Sequence, residues 1–183
     1  MSEPTARDVG EFGLIAAVTA RLAMTHAVLL GPGDDAAVLA VPDGRVVATT
    51  DMLVEGVHFR RDWSSAHDIG RKAAAANLAD IAAMGGTATA LLVALALPAD
   101  LPASWALSLA DGLREEAADV GAAIVGGDLV RSDQVVVSVT ALGSVVGEPV
   151  TRAGARVGDQ VVLAGRLGWS AAGLRLLREG VTT

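Results

Sequence analysis

The stretch Ala66–Pro98, AHDIGRKAAAANLADIAAMGGTATALLVALALP, decides the fold class of this 183-residue chain. Residues 66–84 are rich in alanine, contain no proline and end at Gly85-Gly86, which predicts a helix terminated by glycine. Residues 87–97 are apolar and are followed by proline, which predicts a strand. The length of the predicted helix suits packing across a sheet.

The residues before this stretch predict one helix and a β-rich segment. An amphipathic helix is predicted over residues 11–23, from the helical spacing of Phe12, Ile15, Val18 and Leu22. Short β-branched or apolar runs predict strands over residues 26–30, 36–41 and 45–50, separated by turn signals at 31–35 and 42–44. The second turn signal predicts a hairpin.

The residues after this stretch continue the alternation of helices and strands. A helix is predicted from Pro102 to about Val120, with Trp105, Leu109, Leu113 and Ala117 on its core face. Strands are predicted over residues 122–125 and 134–146, with a loop over 126–133 between them. Since hairpins accompany the alternation, the pattern favours a mixed α+β fold over a doubly wound parallel sheet.

The pattern changes near residue 150, where we expect a domain boundary. A polar turn at 154–159 precedes a predicted strand at 160–164, and a helical pattern continues through Leu174 and Leu177. One strand and one helix are too little core for a domain. We therefore expect an N-terminal domain over residues 1–149 and the beginning of an incomplete C-terminal α/β domain over residues 150–183.

The composition excludes several classes of protein. Although 52% of the residues are hydrophobic, the most apolar run, residues 88–98, is far shorter than the ~20 residues that cross a bilayer. The acidic N-terminal segment has no apolar signal-peptide core, so we expect no membrane association and a cytoplasmic location. Without cysteine, the chain has no disulfides or thiolate metal sites. A net charge of −7, scattered arginines and 3% aromatic residues argue against nucleic acid as a partner.

The aspartates are the most informative candidates for a functional site. Several lie beside glycine or alanine at predicted element ends, namely Asp34, Asp35, Asp51 and Asp128, whereas Asp80 lies in a predicted helix whose faces look largely buried. Converging carboxylates need counter-charge, and the chain has few cations near them. Oxygen ligands without cysteine or clustered histidine select Mg²⁺, Mn²⁺ or Ca²⁺. This pattern suggests metal-mediated phosphate chemistry.

Each of these residues also has a structural interpretation. Taken one at a time, the aspartates are residues that are common in turns and caps. Arg152 is either a surface charge or a phosphate contact, and His58 is either a surface residue or a substrate contact. Residues 31–36 fit a dinucleotide-binding glycine pattern only formally, because a strand is predicted after them where that motif needs a helix. The only lysine, Lys72, is not in a phosphate-binding loop.

Six motifs in order resemble those of the thiamine-monophosphate kinases. They are GEFGLIAAV, GPGDDAAVL, TTDMLVEGVHF, IGRKAAAANLADIAAMGG, IVGGDLVRSD and VTRAGARVGDQVVLAGRLGWSAAGL, and together they extend over almost the whole sequence. That family belongs to a wider group that includes aminoimidazole ribonucleotide synthetase, selenophosphate synthetase and the hydrogenase-maturation dehydratases. The segment Glu55–Phe59 points to the thiamine branch. The sequence departs from the usual motifs at Ala79, where serine is common, and at Leu129, where threonine is common.

The resemblance implies Mg²⁺-dependent transfer of the γ-phosphoryl group of ATP to thiamine monophosphate, giving thiamine diphosphate and ADP. It implies several Mg²⁺ ions, with ligands at Asp35, Thr49, Thr50, Asp51, Asp80 and Asp128. It places Gly127, Asp128 and Arg152 at the nucleotide, His58 at the thiamine phosphate, and Asp51 and Asp128 at the reaction centre.

The resemblance also implies a homodimer in which N-terminal α+β domains form a barrel across a two-fold axis, followed by a C-terminal α/β domain. Two alternatives stay open. One is a non-catalytic, dimer-forming fragment that binds Mg²⁺-nucleotide, because the second domain looks incomplete. The other is a related ATP-using enzyme with a different acceptor.

Overall fold

A computed structural model of the protein describes residues 3–32, 37–41 and 44–181. The chain divides into two units, Met1–Val150 and Thr151–Thr183. The first unit contains the helices α1 (Ala6–Val9), α2 (Glu11–Thr19), α3 (Ala66–Ala83) and α4 (Ala103–Asp119). Its strands are β1 (Val28–Leu30), β2 (Val38–Leu39), β3 (Val47–Val54), β4 (Gly86–Leu97), β5 (Ala123–Arg131) and β6 (Val136–Val145). The second unit contains the helix α5 (Trp169–Arg178).

No described helix is long and apolar enough to cross a membrane. The predicted domain limits, 1–149 and 150–183, stay a prediction.

A four-stranded mixed sheet forms the centre of the first unit. Its strand order is β3-β6-β4-β5, with antiparallel pairs except for the parallel pair β4 and β5. The parallel pair is connected by α4, as a parallel connection requires. The mixed sheet with helices confirms the predicted α+β class. The helices predicted over 66–84 and 102–120 and the strand predicted over 87–97 are also confirmed.

Helices α3 and α4 cover one face of this sheet and form the main core with it. The alternation of apolar residues along β6 follows from this, because Val137 and Val139 are fully buried while their neighbours are only half-buried. On α4, Leu109 and Leu113 are buried in the same core, as predicted. At the rim of the helix pair, His67 Nε2 lies 2.8 Å from Glu115 Oε2, and this hydrogen bond lowers the pKa of the Glu115 carboxyl.

The opposite face of the sheet, which we call the open face, is only partly covered. Strands β1 and β2 pair with each other and pack over a small cluster that contains Ala90, Ala123 and Val125. Further along the sheet, Met52 and Val130 are each about half exposed, at 54% and 50%. The first unit therefore presents apolar sheet surface on this side.

Two predictions about strand pairing were wrong. The strands on either side of the turn signal at 42–44 do not form a hairpin, because β2 pairs with β1 while β3 pairs with β6. Residues 42 and 43 themselves lie outside the described residues. The predicted loop over 126–133 is largely strand, since β5 continues to Arg131 by pairing in parallel with β4. A bulge at Val125 shifts the register there, from Leu91 opposite Ile124 to Leu92 opposite Gly126. Glycines that are typical of turns are here part of the sheet.

Two further predictions were wrong, one about a strand and one about the end and the buried face of a helix. The segment 160–164 is not a strand, and no described strand pairs with it. Helix α2 ends at Thr19, and its buried residue is Leu14, whereas Phe12 is 83% exposed. Since α2 is apolar on most sides, its periodicity did not identify the face that packs.

Candidate functional site

Strand β3 and helix α3 bring two of the predicted site residues into contact and place a third on the same face of the sheet. The Thr49 hydroxyl donates a hydrogen bond of 3.0 Å to the Asp80 carboxylate. Asp51 lies two residues after Thr49 on β3, and therefore on the same face of the sheet, towards α3. We call Thr49, Asp51 and Asp80 the β3/α3 site. Asp51 was expected at the end of a strand, but it lies within β3, which continues to Val54.

The two carboxylates of the β3/α3 site are accessible. Both Asp51 and Asp80 are exposed in the described chain, and neither forms an ion pair with a described residue. The expectation that Asp80 lies on a buried helix face was wrong. The alanine-rich helix α3 buries Asn77 instead, at 1% exposure, and the Asn77 amide donates to the Ala73 carbonyl at 2.9 Å.

The donor chemistry of this site fits a hard divalent cation. Two carboxylates and a hydroxyl are oxygen ligands of the kind that Mg²⁺ prefers. Their uncompensated negative charge is a second reason for a cation there. No group of three or more histidine, aspartate or glutamate side chains in the described residues is arranged to hold a metal ion. The β3/α3 site alone therefore supplies a partial ligand set.

Thr50 and Asp128 lie on the open face of the sheet. The Thr50 hydroxyl donates to the Val139 carbonyl at 3.0 Å and accepts a hydrogen bond of 3.0 Å from Thr140. Asp128 is in the same cross-strand row as Ala94, Ser138 and Met52. That row crosses three strand spacings, so Asp128 is roughly 14 Å from β3 at ~4.8 Å per spacing.

The structure thus separates residues that the resemblance places in one ligand set. Thr50 and Asp128 are not brought to the β3/α3 site within this chain, and Asp128 was wrongly expected at a strand end. Asp35 lies outside the described residues. Arg152 is an exposed residue of the second unit. Their roles as metal or nucleotide contacts stay predictions.

His58 lies in an ordered turn directly after β3. The Val54 amide donates to the ring nitrogen Nδ1 of His58 at 3.0 Å. The Lys72 ammonium, on α3, donates to the backbone carbonyl of His58 at 2.6 Å. The sequence reasoning missed Lys72, because it considered this lysine only as a candidate for a phosphate-binding loop. Its being the only lysine of the chain was the available signal.

Gly127 has a structural reason to be glycine, apart from its predicted position at the nucleotide. A Cβ atom at Gly127 would overlap the Val93 carbonyl oxygen of the neighbouring strand β4. At Gly126, an added Cβ would meet only the flexible end of Leu92, at 3.2 Å. The chain therefore offers two adjacent glycines with different constraints.

Gly127→Ala is expected to lower the free energy of unfolding by about 1–3 kcal/mol, because the backbone of β4 must shift to make room. Gly126→Ala serves as the matched control and should cost less, since Leu92 can rotate away. Urea unfolding of both variants without ligand measures the difference. Equal stability of the two variants would contradict the close approach of β5 to β4.

The comparisons identify first the class of this domain. Residues 33–145 match the family model of the AIR synthase related protein, N-terminal domain. The matched stretch contains the sheet, α3 and α4, and the residues of the β3/α3 site. The chain belongs to this family.

Within this family, the chain is similar to thiamine-monophosphate kinases. The enzyme of that name from Mycobacterium tuberculosis is 51% identical over 179 residues, which cover 97% of this chain and 54% of the relative. The crystal structure of thiamine-monophosphate kinase from Stenotrophomonas maltophilia K279a is 38% identical with a TM-score of 0.77, over 91% of this chain and 51% of that one. A structure described as "AaThiL complexed with AMPPCP and TMP" is 34% identical with a TM-score of 0.72, over 97% of this chain and 55% of that one. The chain spans about half the length of the curated relatives it matches.

Proposed function

We propose that this chain carries the N-terminal part of a kinase that phosphorylates thiamine monophosphate to thiamine diphosphate with ATP and Mg²⁺. The observation that carries the proposal is the similarity to a solved structure whose description names both AMPPCP and TMP. AMPPCP is an ATP analogue in which a methylene group replaces the bridging oxygen between the β- and γ-phosphates. The two ligands therefore correspond to a phosphoryl donor and to thiamine monophosphate as the phosphate acceptor.

The proposed reaction is a direct in-line transfer. A phosphate oxygen of thiamine monophosphate attacks the γ-phosphorus of ATP, the bond from that phosphorus to the β–γ bridging oxygen breaks, and ADP leaves. Since donor and acceptor are both polyanions, catalysis must position them and offset their repulsion. No covalent enzyme intermediate is required.

The β3/α3 site supports a metal-dependent version of this reaction. Asp51, Asp80 and Thr49 would hold Mg²⁺, and the hydrogen bond from Thr49 orients the Asp80 carboxylate. When bound, Mg²⁺ neutralises phosphate charge and aligns the reacting groups. Without such an ion, the two unpaired carboxylates would repel both substrates. The resemblance adds Asp35, Thr50 and Asp128 as ligands, Gly127 and Arg152 at the nucleotide and His58 at the thiamine phosphate.

A homodimer is part of the proposal. The open face exposes apolar side chains such as Met52 and Leu92, which are 54% and 38% exposed, and β3 is an edge strand. A second copy against this surface would cover the apolar area and the edge strand. Left exposed, both promote non-specific association. Thr50 and Asp128 lie on that face. The cytoplasmic location expected from the sequence also belongs to this proposal.

A narrower alternative concerns this chain by itself. The described residues hold no complete group of metal ligands, and the chain spans about half the length of its relatives. Both observations favour a chain without turnover of its own, and the alternative is then a dimer-forming unit that only binds Mg²⁺-nucleotide. The test of the proposed function must therefore record binding as well as product.

The test is formation of thiamine diphosphate by the purified chain. Product is expected only when ATP, Mg²⁺ and thiamine monophosphate are all present, and EDTA should abolish it, because the oxygen ligands lose their cation. Mg²⁺-AMPPCP binding, measured by calorimetry, accompanies the assay. Binding without product would favour the narrower alternative. Turnover of a different phosphate acceptor, but not of thiamine monophosphate, would contradict the proposed substrate.

A further inference from the structure

We propose that Lys72 is a positioning residue that holds the His58 imidazole ready to donate a hydrogen bond from Nε2 to the phosphate of thiamine monophosphate. The substrate part of this inference rests on the proposed function. The positioning part rests on the geometry of the turn that follows β3.

The turn binds the His58 ring to its own backbone. Val54 bonds His58 twice, since its carbonyl accepts from the His58 amide at 2.9 Å and its amide donates to the ring Nδ1 at 3.0 Å. The Gly56 amide donates to the Phe59 carbonyl at 2.8 Å and closes the turn, with Gly56 at a φ of +80°. This φ lies in the left-handed region, which favours glycine.

These contacts determine which ring nitrogen carries the proton. A nitrogen that accepts a hydrogen bond from a backbone amide carries no proton itself, so the neutral ring has its proton on Nε2. The Nε2–H group is then a donor on an exposed side chain. A phosphate oxygen is a suitable acceptor for such a donor.

Lys72 links this turn to the helix that carries Asp80. Its ammonium donates to the His58 carbonyl at 2.6 Å, and a charged donor makes a stronger hydrogen bond than a neutral one. Lys72 lies eight residues before Asp80 on α3, about 12 Å along the axis at 1.5 Å per residue. His58 is thus connected to the β3/α3 site twice, through β3 and through α3.

A second set of contacts holds the start of the same turn, away from Lys72. The Glu55 carboxylate accepts from the Arg61 side chain and, at 3.3 Å, from the Val135 amide of the segment that leads into β6. Glu55 thereby fixes the start of the turn, whereas Lys72 is the contact that reaches the His58 backbone from α3. Removing Lys72 should therefore free the His58 end of the turn while the Glu55 end stays attached.

Ring ¹⁵N spectra of the histidines in this chain test the positioning role directly. The His58 signals are assigned from their absence in His58→Gln. In the unmodified chain, we expect the pattern of a ring protonated on Nε2. In Lys72→Met, we expect the two ring nitrogen shifts to move towards each other, because a looser turn lets both tautomers form.

Two control variants accompany this measurement. Lys72→Arg keeps a cationic donor and should restore the original pattern. Arg71→Met removes the same charge one residue away, but Arg71 contacts Glu116 on α4 at 2.7 Å, so it should leave the His58 signals unchanged. An unchanged ring pattern in Lys72→Met would overturn the role of Lys72.

Binding measurements distinguish a positioning role of Lys72 from direct contact between Lys72 and the phosphate. Titration of thiamine monophosphate in the presence of Mg²⁺-AMPPCP should give an about tenfold weaker Kd for Lys72→Met, the scale of one charge-assisted hydrogen bond. The Kd for Mg²⁺-AMPPCP should not change. The double variant His58→Ala/Lys72→Met should bind thiamine monophosphate no more weakly than His58→Ala, because Lys72 acts through His58.

The outcomes distinguish the possible failures. Additive losses in the double variant would mean that Lys72 contacts the phosphate itself, which would overturn the positioning role. If the unmodified chain does not bind thiamine monophosphate, the proposed function and the substrate part of this inference fail together. The ring spectra would still decide whether Lys72 orders His58.

Discussion

Asp51→Asn is expected to reduce the formation of thiamine diphosphate by at least about a hundredfold. The loss of an outer-shell partner of a metal costs up to about a hundredfold, and Asp51 is proposed as a direct ligand. The substitution replaces a carboxylate by a neutral amide of the same shape. It therefore removes a charged oxygen ligand without changing the volume of the side chain. Asp51 is exposed and unpaired in the described chain, so the fold should not depend on its charge.

The controls for Asp51→Asn address folding and general charge effects. Asp100→Asn makes the same change at an exposed aspartate in the turn between β4 and α4, which forms no side-chain hydrogen bond with the described residues. It should leave turnover and Mg²⁺ affinity unchanged. Initial rates, Mg²⁺ titrations and circular dichroism are measured for both variants. Near-normal turnover of Asp51→Asn would remove Asp51 from the proposed ligand set.

Gly112→Ala is expected to have a large effect on stability. A Cβ atom there would overlap the His67 carbonyl oxygen of α3, and at Gly70 a Cβ atom would overlap the Leu109 carbonyl oxygen of α4. The two helices pack backbone to backbone through these glycines. We expect a loss of about 1–3 kcal/mol or more in the free energy of unfolding, despite a gain of up to ~1 kcal/mol in helix propensity.

Gly173→Ala is the matched control for this substitution. Gly173 is also inside a helix, α5, but an added Cβ atom there meets no atom within 4 Å. The control should gain helix propensity without a clash, and the unfolding transition of the first unit should not move. Thermal and urea unfolding of the two variants give the comparison. A Gly112→Ala protein as stable as the unmodified chain would contradict the close packing of α3 on α4.

Local signals were sufficient for the long elements. Helix α3, strand β4 and helix α4 each combine a consistent composition with a glycine or proline at a boundary, and their bounds agree with the predictions to within a few residues. By contrast, residues 126–128 have turn chemistry but lie in β5. Their conformation depends on parallel pairing with β4, a partner more than thirty residues away in sequence.

The exposure of Asp80 is another property that local sequence does not encode. In an alanine-rich helix, small residues occur on every face, so the stripe that packs is not marked. The structure buries Asn77 and leaves Asp80 accessible beside β3. A one-residue rotation of this helix would have exchanged their environments.

The sequence by itself determined the α+β class, the order of the main elements, the oxygen-only ligand chemistry of the candidate residues and the resemblance to a kinase family. Only the tertiary structure decided which candidates meet. Thr49 contacts Asp80 from the helix-covered face, whereas Thr50 and Asp128 lie on the open face. The physical reason is that adjacent residues of a strand face opposite sides of the sheet, and strand order and register are set by pairing between distant segments.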